Sequence, residues 1–241
     1  MTQRAYSELK LDLVLRTLVT LRSRIAERFP DSGLSRVADE LQQTGEDIGP
    51  VLDKLRHPNR LLRAGIALGV ALIVVLVGGV IWLILQPSVS REISGVSGVL
   101  QTIESAAQDL VFLSIAVYFL LTLETRINRR ISLRTLHRLR SIVHIVDMHQ
   151  LTKDPVHILS PGRTTASSPE RKLTRFELAR YLDYCSELLS LSSKMAALHV
   201  QYVNDPVVLD AVNDIEVLAA NLQNKMWQKI VILDTAVAAE T

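Results

Sequence analysis

The feature that most constrains the fold is a long apolar run in the first third of the chain. Residues 61–85 read LLRAGIALGVALIVVLVGGVIWLIL, and the 22 residues after Arg63 in this run carry no charge. A helix needs about 20 apolar residues to cross the hydrocarbon core of a bilayer, so the run predicts a transmembrane helix. Pro58 and Pro87 are natural helix breaks on its two sides, and Trp82 is suited to an interfacial anchor.

A second transmembrane helix is predicted over residues 103–123, although only 110–123 is strongly apolar. The longer segment includes Glu104 and Asp109, which we place in the outer headgroup layer. The alternative for this segment is a re-entrant helix or the core helix of a soluble domain. Neither segment carries an ionisable residue near its centre, which argues against a proton relay or an ion-coupled transporter.

The flanking charges predict the orientation of the two segments. Basic side chains precede the first and follow the second, whereas the connection between them is mildly acidic. The basic residues are Lys54, Arg56, Arg60 and Arg63 before the first segment, and Arg126, Arg129, Arg130, Arg134, Arg138 and Arg140 after the second. By the positive-inside rule, both termini are expected in the cytoplasm of a two-pass protein of the cell (inner) membrane.

The rest of the chain repeats its apolar residues at intervals of three and four, which predicts an all-α protein. We expect a transmembrane hairpin, cytoplasmic helical hairpins at both ends, and a long stalk helix that continues the second span. The predicted parts are an N-terminal hairpin (1–60), the first span (61–85), an extracytoplasmic connection (86–102), the second span (103–123), a basic juxtamembrane stalk (124–150), a linker (151–172) and a C-terminal hairpin (173–241).

Local signals mark the ends of several helices. Thr174 and Glu177 have the spacing of a capping box, and Asp205 before a proline is expected to cap the last helix.

Gly45 and Gly49 are expected to weaken the second N-terminal helix, since an interior glycine costs about 1 kcal/mol. Whether the apolar seams close within one chain or between chains is left open by the sequence.

Four arginines at intervals of four residues form a stripe on the stalk. They are Arg126, Arg130, Arg134 and Arg138. Such a stripe can attract anionic lipid headgroups, at about 1 kcal/mol per basic residue near the surface. It can also act only as a determinant of topology on a solvated face, and the two interpretations are compatible.

Small residues in the first span suggest close helix packing. Gly65 and Gly69 form a small-xxx-small pair, and Gly78 and Gly79 add a second point of close approach. They favour packing between subunits or packing of the two spans of one chain.

The densest polar cluster of the chain includes His137, His144 and Asp147, which helical spacing places near one face. These groups are of the types that hold a divalent metal, but a structural or solvated role is the alternative.

No catalytic pairing or nucleotide-binding fingerprint is present, so we expect no enzyme and no cofactor. The net charge of +2 does not favour nucleic acid, and the single cysteine, Cys185, is expected to be a buried apolar residue.

Two stretches of the C-terminal half, HIVDMHQLTKDP (144–155) and FELARYLDYCSELLSL (176–191), resemble an uncharacterised group of bacterial two-pass membrane proteins. The resemblance implies a bacterial origin and a cytoplasmic helical C-terminal region, and it assigns no activity or functional residue.

Three functions are compatible with this pattern. The first is a membrane-anchored helical interaction or scaffold module, which recruits or regulates a cytoplasmic protein partner at the lipid bilayer. The second is a homo-oligomeric channel or membrane-disrupting effector. The third is a metal-responsive membrane regulator, which depends on His137, His144 and Asp147 alone.

Overall fold

The computed structural model describes residues 8–57, 60–84, 96–155 and 173–238. Their regular structure is entirely helical, without strands, which confirms the all-α prediction. The helices are α1 (Leu11–Arg28), α2 (Gly33–Arg56), α3 (Arg60–Ile84), α4 (Val96–Leu151), α5 (Arg175–Ala197), a 3₁₀ helix (Leu198–Gln201) and α6 (Pro206–Ala238). Most of the predicted connection (86–102) and of the predicted linker (151–172) lies outside the described residues.

The helices form two compact units. The bundle unit contains α1, α2, α5, α6 and the part of α4 that begins at Arg129. The apolar unit contains α3 and the part of α4 that ends at Asn128.

The bundle unit is built from the apolar seams that the sequence predicts. Their side chains are buried together in one core, so the seams close within a single chain. The seam residues in this core are Val14, Leu18, Leu21 and Ile25 of α1; Leu34, Leu41, Ile48 and Leu55 of α2; Leu136, Leu139, Val143 and Val146 of α4; Tyr181, Tyr184, Leu188, Leu191 and Met195 of α5; and Val208, Val212, Ile215, Ala219, Leu222, Met226 and Leu233 of α6. Cys185 is buried as well, and burial raises the pKa of its thiol to about 12.

A close approach explains one glycine that the sequence marks only as a weak point in α2. A Cβ atom added at Gly45 would lie 2.7 Å from Cδ2 of Leu15 and 2.9 Å from Cε of Met195. A Cβ atom at Gly49 would make only an ordinary contact, 3.6 Å from Cδ2 of Leu11. Gly45 therefore lets α1 and α5 side chains reach the α2 backbone, whereas Gly49 has no such role.

The caps predicted for the C-terminal helices are present. The Glu177 backbone N–H donates to the Thr174 hydroxyl at 3.3 Å, and the Glu177 carboxylate accepts from the Thr174 backbone N–H at 2.8 Å. At the start of α6, Asp205 Oδ1 accepts from the backbone N–H groups of Val207 and Val208 at 3.0 and 3.3 Å. Each carboxylate thus satisfies N–H groups that a helix terminus leaves without a partner.

Two sets of hydrogen bonds from charged side chains connect α6 to α4 within the bundle unit. The second oxygen of the buried Asp205 accepts two hydrogen bonds from the Arg129 guanidinium, at 2.9 and 2.7 Å. At the other end, the Lys229 ammonium donates to the backbone carbonyls of Gln150 and Lys153 at 3.1 and 3.2 Å. A cation placed there satisfies carbonyl groups at the C-terminus of α4 and interacts favourably with the helix dipole.

The apolar unit has the opposite distribution of side chains. Both of its helices contain windows long and apolar enough to cross a membrane, and none of the residues in these windows is buried. Leu68 and Leu72, for example, are 74% and 59% exposed. Within the unit, the guanidinium Nε of Arg63 lies 3.2 and 3.0 Å from the two carboxylate oxygens of Glu124.

Candidate interaction site

The bundle unit presents a surface where α1, α5 and α6 meet. The capping box begins α5 so that Phe176 and Arg180 fall four residues apart, on one face of its first turns. The ring of Phe29 packs edge-on against Tyr181 and Tyr184, with centroids 5.4 and 6.2 Å away. This aromatic contact fixes the last turns of α1 against the beginning of α5.

The first part of the surface is a depression of about 350 Å³ that we call the arginine pocket. It is lined by Arg24, Glu27 and Arg28 of α1 and by Arg180 and Tyr184 of α5. Its lining thus contains three arginines and one glutamate, and two of these arginines form ion pairs with acidic side chains at its edge.

Aromatic rings hold these guanidinium groups in place. Arg28 and Arg180 both lie against the ring of Phe176, with Cζ 5.4 and 6.0 Å from its centroid. Arg24 lies 5.3 Å from the Tyr184 centroid. Cation–π contacts of this kind orient a guanidinium group.

Ion pairs at the edge partly neutralise the pocket. Arg24 lies 3.5 Å from Glu187, and Arg180 lies 2.9 Å from Asp183. Burial is the main factor that raises the pKa of Glu187, and the nearby charge of Arg24 opposes it. These side chains are more than a third exposed, so the ion pairs add little stability and leave the guanidinium groups accessible.

The second part of the surface is a depression of about 330 Å³ between α5 and α6, which we call the aromatic groove. Its apolar lining consists of Phe176, Ala179, Trp227 and Ile230. Arg180 lines both depressions, so the groove and the arginine pocket adjoin. Asp183 and Asp234 also line the groove.

The two aromatic side chains of the groove are mostly exposed. Phe176 is 62% exposed and Trp227 is 65% exposed. Tryptophan and arginine are enriched among the residues that dominate binding energies at protein interfaces. The surface contains residues of both types, Trp227 and the arginines of the adjoining pocket.

The predicted arginine stripe on α4 makes several contacts. Arg138 lies 2.8 Å from Asp47 and 3.9 Å from Glu40, both on α2 in the bundle unit. Arg126 lies over the ring of Phe119, with Cζ 5.2 Å from the centroid. Lipid contact by the four arginines stays a prediction, and the charge of Arg138 is partly used within the protein.

The four glycines of α3 divide into two groups. A Cβ atom at Gly69 would lie 3.3 Å from Cδ1 of Leu120, so this glycine packs against the other helix of the apolar unit. Cβ atoms at Gly65, Gly78 and Gly79 would meet nothing within 4 Å in the described part of the chain. Among these four glycines, packing between the two apolar helices of one chain thus accounts for Gly69 alone.

The structure does not assemble the histidine cluster into a metal site. Among the described residues, no group of three histidine, cysteine or acidic side chains is arranged to hold a metal ion. His137, His144 and Asp147 all lie in the described part of the chain, and the Asp147 carboxylate accepts a hydrogen bond from the Gln150 amide at 2.7 Å. A metal-responsive regulator therefore receives no support from the geometry.

The arginine pocket and the aromatic groove are absent from the sequence-based predictions. Phe176 and Trp227 do not belong to the apolar seams of α5 and α6. Their positions off the seams are the one feature of the sequence that could have indicated the groove. A large aromatic residue off the buried face of a helix must be exposed or must bind something. The contribution of Arg24 and Arg28 is not visible in this way, because it depends on how α1 packs against α5.

Comparison with known proteins gives no assignment: no family model matches the chain, and neither a curated protein nor a solved structure matches it.

Proposed function

We propose that the chain is a two-pass membrane protein with both termini in the cytoplasm, and that its bundle unit is a non-enzymatic interaction module which recruits or regulates a protein partner at the membrane. The observation that carries the proposal is the exposed surface of Phe176 and Trp227 beside three arginines, on a unit whose apolar seams are buried. The resemblance noted in the sequence favours the inner membrane of a bacterium.

The anchoring half of the proposal is supported by the exposure of the apolar windows. Apolar side chains in water cost about 25 cal/mol per Å² of exposed surface, so helices of this composition require a bilayer or a covering partner. Soluble proteins rarely expose contiguous apolar patches larger than a few hundred Å². The basic residues outside both apolar segments favour the orientation with cytoplasmic termini.

Cysteine accessibility tests the topology. Ser90→Cys lies between the two apolar segments, and Ser23→Cys lies in α1. A membrane-impermeant maleimide should label the first variant in intact cells and the second only after permeabilisation. The buried Cys185 provides the unlabelled background. The reverse pattern, or labelling of both variants in intact cells, would contradict the proposed topology.

Site-specific photocrosslinking tests the interaction module. A photoreactive residue at Trp227 should yield a defined heterologous adduct in native membranes. The matched control is Val217, which lies on the same helix and is 51% exposed. Loss of the Trp227 adduct on introduction of Arg28→Gln would link it to the site. Equal adducts at both positions, or none at Trp227, would remove the basis for the proposal.

A homo-oligomeric channel is the second candidate function. It is favoured by the open surroundings of Gly65, Gly78 and Gly79, since small residues at free helix faces allow close packing between copies. The native mass of the protein in a lipid nanodisc tests it. A ring of four or more copies would support a pore and call for conductance measurements, whereas a monomer or dimer would rule the pore out.

A further inference from the structure

We infer that Arg126 binds the phosphate group of an anionic phospholipid, with its guanidinium held against the ring of Phe119 at the edge of the second apolar segment. The inference rests on the proposed membrane anchorage and specifies the lipid chemistry that this end of the apolar unit recognises. Its basis is the contact between the two side chains, in which Cζ of Arg126 lies 5.2 Å from the centroid of the Phe119 ring.

The contact shows that the Arg126 side chain runs back toward the apolar segment. Phe119 precedes Arg126 by seven residues, which is about 10.5 Å along the helix axis, and it lies within the strongly apolar residues 110–123. The Cα–Cβ bonds of a helix tilt toward its N-terminus, so a long side chain can reach the preceding turns. The guanidinium group is therefore held at the edge of the apolar segment, which is the depth at which lipid phosphates meet the hydrocarbon core of a bilayer.

The charge of Arg126 is not balanced in the way that the charge of Arg63 is. Nε of Arg63 lies 3.2 and 3.0 Å from the two carboxylate oxygens of Glu124, at the contact between α3 and α4. Arg126 follows Glu124 by two residues, which is a turn of about 200° around the helix, so it lies on the side of α4 away from that contact. Among the described residues, no carboxylate forms an ion pair with Arg126, which is exposed. Its charge is thus available to an external anion.

The chemistry of the pair favours a lipid phosphate over a soluble anion. A guanidinium group is planar and pairs with phosphate oxygens through two parallel hydrogen bonds, while the Phe119 ring occupies one of its faces. Phe119 is 49% exposed, so a phospholipid can place its phosphate beside Arg126 and an acyl chain beside the ring. An anionic phospholipid is preferred to a zwitterionic one, because the choline ammonium group of the latter repels the arginine.

Native mass spectrometry of the full-length protein tests the inference. The protein is released from detergent micelles that contain phosphatidylglycerol or phosphatidylcholine, and the apparent Kd of the first bound lipid is measured. Phosphatidylglycerol should bind more tightly, and Arg126→Gln should weaken its binding by about tenfold, because hydrogen bonds to a charged group are lost. Arg138→Gln removes the same charge from the same helix, but from an arginine that is paired with Asp47, and it should leave binding unchanged.

Two further variants separate a phosphate site from a diffuse electrostatic attraction. Arg126→Lys keeps the charge but loses the planar donor group, so it should recover only part of the lost affinity. Phe119→Leu keeps an apolar side chain but removes the ring, and it should weaken phosphatidylglycerol binding by about two- to fivefold. Added to Arg126→Gln, it should have no further effect, because the ring acts through the arginine.

Several results would overturn the inference. They are equal binding of the two lipids, equal losses in Arg126→Gln and Arg138→Gln, full affinity in Arg126→Lys, additive losses from Arg126→Gln and Phe119→Leu, or displacement of phosphatidylglycerol by millimolar inorganic phosphate, which would indicate a site for free phosphate. Any of these results, together with the expected cysteine labelling, would leave the proposed topology standing. Reversed labelling, with the Arg126-dependent lipid preference intact, would count against the topology alone.

Discussion

The bundle unit and the apolar unit are both made of helices rich in leucine, valine and isoleucine, but they place these residues differently. In the bundle unit, Leu139 and Leu188 are fully buried against other helices. In the apolar unit, Leu68 and Leu72 project outward and are mostly exposed. The difference shows that helical apolar composition alone does not decide burial: the polar residues between the apolar ones confine them to one face in the first case, whereas the second has apolar residues all around.

The largest expected difference between the units comes from a matched pair of truncations. Leu188→Ala should destabilise the bundle unit by about 2–5 kcal/mol, because it removes buried contacts and leaves a cavity. Leu72→Ala should change the same unfolding transition by less than about 0.5 kcal/mol, because Leu72 has few contacts to lose. Urea unfolding in mild detergent, followed by circular dichroism, measures both. Similar effects would show that the two leucines are equally packed.

A smaller effect is expected at the ionic contact between α4 and α6. Asp205→Ala should cost about 2–3 kcal/mol, because it removes a helix cap and leaves Arg129 without its carboxylate. Asp210→Ala, an exposed acidic residue in α6, is the control and should be close to neutral. Asp205→Asn should fall between them, since it can retain the cap but loses the charge. A neutral Asp205→Ala would mean that solvent replaces both interactions.

The glycines of α2 provide a test of the close approach at Gly45. Gly49→Ala should be close to neutral: alanine favours a helix by about 0.5–1 kcal/mol, but Pro50 follows and disfavours a helical residue that carries a Cβ atom. Gly45→Ala should destabilise, since the ends of Leu15 and Met195 would have to move. The difference between their urea midpoints is the measurement. Equal midpoints would show that the approach at Gly45 is loose.

The smallest effect concerns pH and affects only the bundle unit. Burial is the main cause that lowers the pKa of His199, and its Nε2 has no hydrogen-bond partner among the described residues. Because the folded-state pKa lies below the unfolded value of about 6.5, stability should decline as the pH falls below that value. The thermal midpoint between pH 7.5 and 5 should therefore fall more steeply than in His199→Gln. Parallel curves would exclude His199 as the cause.

A separate loss is expected at lower pH. Burial raises the pKa of Asp205, but the hydrogen bond from Arg129, two backbone N–H groups and the charge of Arg129 outweigh it, so the pKa is lowered overall. Stability from this carboxylate is present above its unfolded pKa of about 3.9 and is lost as the pH falls through the lower folded value. Asp205→Asn should remove this acid-side component and leave the His199 component intact.

Much of the fold is predictable from local sequence. The seams at three- and four-residue spacing predict which faces of α1, α5 and α6 are buried, because helical geometry converts spacing directly into a face. The capping box of Thr174 and Glu177 and the cap by Asp205 are predictable for the same reason. Arg129 as the partner of Asp205 is not, because the two residues are far apart in sequence and meet only through packing.

The candidate site is predictable only in part. Phe176 and Trp227 are conspicuous as aromatic residues off the seams, but nothing in their neighbourhood along the chain indicates that they share a groove. The arginine stripe and the histidine cluster attract attention because their members are close in sequence. The arginine pocket is built from α1 and α5, and no local pattern joins Arg24 and Arg28 to Arg180.

The sequence by itself determined the helical class, the buried faces of the bundle helices and the two apolar segments, because these depend on periodicity and composition within one helix. Only the tertiary structure decided that the seams close within one chain, that Gly69 packs against Leu120, and that three arginines surround a pocket beside Trp227. The physical reason is that a helix fixes the relative directions of its own side chains, whereas contacts between helices depend on how whole surfaces fit together.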